Sequence, residues 1–197
     1  MNTFTHVLAS INWVDVAMLV LLIRIVFIGV KTGFVIELFK LLGVLSAVFI
    51  GLHYYALLAA IIAQKTNWSL ESWEFVIFVL LTLGVAVLVK FLREGFLAVF
   101  KFETAHAGVN QWGAGILSVL RALLLASLVM YALLLTRAEC LQRQTLMSVS
   151  QKLVLKAAPK TYSFLFHRWI GKIYTQERFN ADVFNVISRN SVGRKPF

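Results

Sequence analysis

Asp15, Arg24 and Arg121 are the residues whose chemistry most needs explaining, because each stands inside a long apolar run. An ionisable group placed in lipid costs at least about 2.5–3.5 kcal/mol on insertion scales, so a partner or a task must hold it there. Asp15 lies two residues past Trp13, where it can sit at headgroup level and cap a first helical turn. Arg24 lies seven residues before Lys31, roughly 10 Å along a helix and within snorkelling reach of the interface. Arg121 lies nine residues past Trp112, about 13 Å along the axis, near mid-bilayer if Trp112 marks the interface. It needs a carboxylate, helix carbonyls or a water-filled cavity. A structural pairing and a transport role account for it equally well.

The rest of the reactive inventory is sparse. Glu71 and Glu74 share a helix face at the mouth of a span, where a solvated first turn favoured by the helix dipole explains them better than an acid pair. His6, His53, His106 and His167 are far apart and lack ligand spacing. Cys140 is alone, which excludes an intramolecular disulfide and a cysteine-rich metal site. It reads as a small inert residue, with palmitoylation the functional alternative. There is no glycine-rich phosphate loop, HExxH motif or nucleophile elbow. The expectation is a protein that is not an enzyme and takes no cofactor or metal.

The elements that must position these charges follow from composition. The chain is 60% hydrophobic and 14% charged, with mean hydropathy +0.82. A soluble domain of 197 residues needs more polar surface than this. The fold class is therefore an all-α integral membrane protein with about four transmembrane helices. The apolar runs Trp13–Val30, Leu41–Ala63, Trp73–Val89 and Trp112–Thr136 each approach the roughly 20 residues that a span requires. Trp13, Trp73 and Trp112 open three of them, as interfacial indoles do. No Lys or Arg precedes the first run, so it is expected to stay as a span rather than leave as a signal peptide.

Residues 1–136 thus form the membrane domain, and 137–197 a short amphipathic, basic helical tail. The tail holds eleven Lys/Arg against Glu139, Glu177 and Asp182, most of the net charge of +10. Gln144–Ala157 reads as a helix stopped near Pro159. In YSFLFHRWIGKIY, Tyr162, Phe166, Trp169 and Ile173 fall on one side at helical spacing. Arg168, Trp169 and Lys172 are the candidate contacts for anionic lipid headgroups or a protein partner, favoured over nucleic acid.

Between the first two spans, GVKTGFVIELFKLLG carries Gly29 and Gly33 for a reversal, Lys31 at the water, and Glu37 with Lys40 three residues apart for a local ion pair. These charges read as a boundary, a hinge with an amphipathic foot. After span three, FLREGFLAVFKF reads as an interfacial continuation of that helix. Small residues recur every four positions at Gly43, Ala47 and Gly51 in span two, and at Ala114, Ser118, Ala122 and Ala126 in span four. Such stripes let backbones approach in lipid, so spans two and four are expected to pack on each other or on copies of themselves. Charges flanking the spans divide five against five: Lys31, Lys40, Lys90, Arg93 and Lys101 face Lys65, Arg137, Arg143, Lys152 and Lys156. The positive-inside rule therefore leaves orientation open.

The opening INWVD, followed by the G-x-x-x-GF-x-x-E-x-F-x-LLG pattern at Gly29–Gly43, resembles the start of the colicin V production protein (CvpA) family. NQWGAGILSVLRALL resembles that family's last span, with Arg121 at the family's arginine. Ala114, Ser118 and Ala122 stand where glycines are usual, and Asn110 and Gln111 replace an Asp-Arg pair. The resemblance covers about residues 12–136. It implies a multi-pass protein of the bacterial inner membrane, linked to production or export of the toxin colicin V and to envelope maintenance. The partners expected are the bilayer, other membrane proteins or further copies of the chain. The alternative is a small oligomeric channel or transporter built around Arg121.

Overall fold

In the computed structural model, residues 12–99, 107–136, 138–173 and 178–192 are described. His6, Lys101, His106, Arg137, Tyr174, Glu177 and the segment after Val192 lie outside them. The described residues form helices, with no strand among them. Four helices are long and apolar enough to cross a membrane: α1 (Trp13–Thr32), α2 (Phe34–Ala63), α3 (Leu70–Val99) and α4 (Ala107–Leu135). The tail adds α5 (Glu139–Met147), α6 (Ala157–Leu165), α7 (Gly171–Ile173) and α8 (Asp182–Val192), with π-helical turns at Gln151–Leu155 and Phe166–Ile170.

Sequence neighbours are not always spatial neighbours. α2 and α3 pack as a hairpin, whereas α1 lies chiefly along α4 and barely touches α2. α4 also packs on α2 and is the central helix. Gly33 explains the first junction. It is the only residue between α1 and α2, and its φ of 88° is a conformation that a side chain disfavours. Gly29 has a different job from the reversal expected of it. It lies inside α1, where a Cβ would clash with the Ser118 side chain. Its bare backbone lets α1 and α4 approach.

The small-residue stripes are likewise divided among other neighbours. A Cβ at Gly43 would meet Val89, and one at Gly51 would meet Thr82, so this face of α2 packs on α3 rather than on α4. Ala47 is buried within α2. On α4, Ser118 meets α1, and Ala126 joins Val14 and Met18 of α1 in one apolar cluster. Ala114 and Ala122 are fully buried. α2 and α4 do pack on each other, but through larger side chains. Tyr55 and Tyr131 share a 2.9 Å hydroxyl hydrogen bond beside Phe78, with Leu52, Leu124 and Leu128 around them.

The tail departs most from expectation. The helix foreseen over 144–157 breaks at Ser148. Pro159 stands in the first turn of α6, where its missing N–H leaves no bond unmade, rather than stopping a helix. Tyr162 and Phe166 do not rest on lipid. They are buried in the bundle core against α2. Leu146, Val154 and Leu155 join the cluster between α1 and α4. The tail from Glu139 to Phe166 is thus packed into the four-helix assembly, and only its outer face is free.

The Gly29–Ser118 contact is testable. Gly29→Ala should lower stability by about 1–3 kcal/mol, the usual cost of overpacking. The double variant Gly29→Ala/Ser118→Gly should recover most of that loss, read as the melting temperature of the detergent-solubilised chain.

Candidate functional site

The charge cluster is built where α1 ends and α2 begins. Glu37 is in the first turn of α2, where a carboxylate is favoured by the helix dipole, and its side chain has 0% exposure. Its Oε1 accepts from Lys40 Nζ at 2.6 Å and from Thr32 Oγ1 at 2.8 Å. Its Oε2 lies 3.0 Å from Arg121 Nη2. Arg121 reaches it from α4 with 11% of its side chain exposed. The same Nη2 donates to the Ile25 carbonyl of α1 at 3.4 Å. The Glu37–Arg121 contact is an ion pair without hydrogen-bond alignment, because Glu37 Oε2 and Arg121 Nε are both buried and lack hydrogen-bond partners among the described residues.

This overturns the reading of Glu37 as a marker of the water boundary. The burial of Glu37 follows from Gly33. With one residue between helices, the first turn of α2 is laid back against α1 and α4. Asn110 locks the junction: its Oδ1 accepts from the Phe34 N–H at 2.6 Å, and its Nδ2 would be 3.2 Å from a Cβ at Gly33. Lys40 remains partly exposed and bridges Glu37 to Thr32 at 3.3 Å. Thr32 also lies 2.8 Å from the Ile28 carbonyl, an acceptor that competes for its single proton. Of the residues singled out from sequence, Glu37, Lys40, Arg121, Gly29, Gly33 and Ser118 come together here. Thr32 and the role of Asn110 were missed. The signal for Thr32 was a hydroxyl five residues before an acid across a glycine break.

Asp15 and Arg24 are elsewhere. Arg24 is exposed on α1 and makes no ion pair among the described residues. Asp15 closes a capping box with Asn12 at the start of α1. Its carboxylate also accepts from the Ser148 and Ser150 hydroxyls, both at 2.5 Å, and from the Val149 and Ser150 backbone N–H groups. Ser150 precedes the helical turn Gln151–Leu155. One carboxylate therefore serves two helix N-termini, whose dipoles both favour it. Further along the tail, Ser127 of α4 donates to the Leu155 carbonyl at 3.0 Å and accepts from Ala158 N–H at 2.8 Å. The π-helical turn is what frees these two backbone groups. His53 Nδ1 lies 2.9 Å from the Tyr162 hydroxyl, and Asn180 donates to that hydroxyl and to the Leu52 carbonyl. Arg168, Trp169 and Lys172 stay exposed on the outer face of the tail.

Among the described residues no cluster of His, Cys, Asp and Glu could hold a metal ion. What the fold defines is a polytopic helical membrane protein tied at one end by a buried Glu–Arg–Lys cluster and at the other by Asp15. The chain belongs to the colicin V production protein family, whose match runs over residues 14–159. It therefore passes the end of α4 and takes in the tail as far as the Ser127–Ala158 contact. No curated protein and no solved structure matches the chain.

Substitution tests both anchors. Arg121→Ala and Glu37→Ala should each destabilise the solubilised protein by about 3–5 kcal/mol, since each leaves a buried charge unpaired. The double variant should cost clearly less than the two losses added, the signature of coupling. Asp15→Ala should release the 148–151 turn from α1, which limited proteolysis would report as new cleavage near Ser148.

Proposed function

We propose that this chain is an accessory factor of the bacterial inner membrane in colicin V production or export, or in envelope maintenance. It acts by helix packing and contact with membrane partners rather than by catalysis. Family membership supports the setting. The observation that carries the mode of action is the answer to Arg121's charge: Glu37 beside it and the Ile25 carbonyl of α1. A cation so engaged is part of the scaffold. The groove of about 480 Å³ between α1 and α4 is lined by Val26, Val30, Gln111, Trp112, Ile116 and Val119, with no charged side chain lining it among the described residues. It suits an acyl chain better than an ion.

A second reading rests on a specific observation. Glu37 Oε2 and Arg121 Nε are a buried acceptor and donor without hydrogen bonds among the described residues. That is the polar complement of a bound water, and a proton or ion path in an oligomer could use it.

Proteoliposomes containing the full chain separate the two readings. Under the accessory reading, ion and solute flux stays at the level of empty vesicles for both the wild type and Arg121→Ala. Colicin V secretion in a strain lacking the protein is then restored by the wild type and lost with Arg121→Ala. Flux in the wild type that disappears in Arg121→Ala overturns it.

A further inference from the structure

We propose that the outer face of the tail helix is a seat for the headgroups of anionic phospholipids. Lys156, Lys160, Phe164, Arg168 and Lys172 follow one another at four-residue steps, and all five are exposed. Across the same helical stretch, Leu155, Ala158, Tyr162 and Phe166 form the opposite, buried edge. The two sets divide the helix into a face turned to the bundle and a face turned away from it. No Asp or Glu occurs between Glu139 and Glu177, so the stripe has no acid of its own stretch to pair with. None of its four cations takes part in an ion pair among the described residues.

Position decides what complements this charge. The tail is fastened to spanning helices well short of their ends. Ser127, which holds Leu155 and Ala158, is eight residues before the end of α4, about 12 Å along the axis. His53, which meets Tyr162, is ten residues before the end of α2, about 15 Å. A helix fixed there runs beside the lipid boundary rather than out in the aqueous phase. Phe164 and Trp169, 64% and 62% exposed, supply apolar surface suited to that boundary. The long basic side chains reach from it to phosphate level. From Lys156 to Lys172 the stripe is about 24 Å long, so several headgroups can line it. Acidic proteins and nucleic acid would have to reach a face pressed against the bilayer. This proposal stands on the tail alone and is independent of whether the chain conducts.

The test is native mass spectrometry of the purified full chain in micelles carrying equal amounts of phosphatidylglycerol and phosphatidylcholine. Basic residues near a lipid surface contribute about fivefold each, so four of them should give at least a tenfold preference for phosphatidylglycerol. Lys156→Gln/Lys160→Gln/Arg168→Gln/Lys172→Gln should bring the preference to about twofold or less, with an unchanged melting temperature. Lys65→Gln/Lys90→Gln should leave it intact. Should the quadruple variant misfold, the wild type decides: its preference must fall steeply between about 50 and 500 mM NaCl. No preference in the wild type, a preference untouched by salt or by the folded quadruple variant, or tighter binding of an oligonucleotide than of phosphatidylglycerol overturns the proposal.

Discussion

The Glu37 carboxylate is the constraint on which the arrangement of the spans depends. It is fully buried, so its charge must be met from inside the protein. Lys40 meets it from one turn on, Thr32 from the end of α1, and Arg121 from α4. Three helices are thereby joined at one point. The geometry also fixes what the neighbours can be. Gly33 must take a positive φ to bring the first turn of α2 back over α1, and Gly29 must lack a side chain for Ser118 to come close enough. Replacing a buried ion pair by apolar residues is often neutral for stability, whereas removing one partner is not. The cluster therefore explains a particular register of α1, α2 and α4 better than it explains a large stabilisation.

Asp15 does the corresponding work at the opposite end of α1, by a different physical means. No cation pairs with it among the described residues. It is held by hydroxyl and backbone N–H donors gathered from two helix starts. Ser127 and His53 then continue the attachment of the tail along α4 and α2. Hydrophobic gain on helix association is weak in lipid, so these polar ties and the close backbone contacts carry much of the specificity. This accounts for a tail that is rich in charge overall yet buries Leu155, Ala158 and Tyr162 completely.

How much of this was legible in the sequence follows from the range of each signal. Four spans are a matter of local composition, and all four were readable. Arg121's need for a carboxylate, helix carbonyls or a water-filled cavity was readable too, because the cost of an intramembrane charge is local. Which carboxylate meets it was not. Glu37 lies three residues from Lys40, and a local pair satisfied the sequence pattern without calling on a helix some eighty residues away. The small-residue stripes showed that close packing would occur but not which helices would share it, since a flat face is as suitable for Val89 as for another stripe. In the tail, aromatic periodicity gave a helix and an apolar side. The choice between lipid and bundle for that side turned on polar partners, Ser127 and His53, that are remote in the chain.

The interior polar groups of the bundle are mostly engaged with one another, and that shapes where function can reside. Asp15 with the 148–150 turn, Tyr55 with Tyr131 and His53 with Tyr162 are met within the chain, and so is the charge of Glu37 by Arg121, although Glu37 Oε2 and Arg121 Nε have no hydrogen-bond partner among the described residues. The surface is less committed. α3 has few buried residues along its length, and a Cβ at Gly84 or Gly95 would meet nothing within 4 Å among the described residues. Between Glu139 and Glu177 the tail presents cations without acids. Both features address the surroundings rather than the interior.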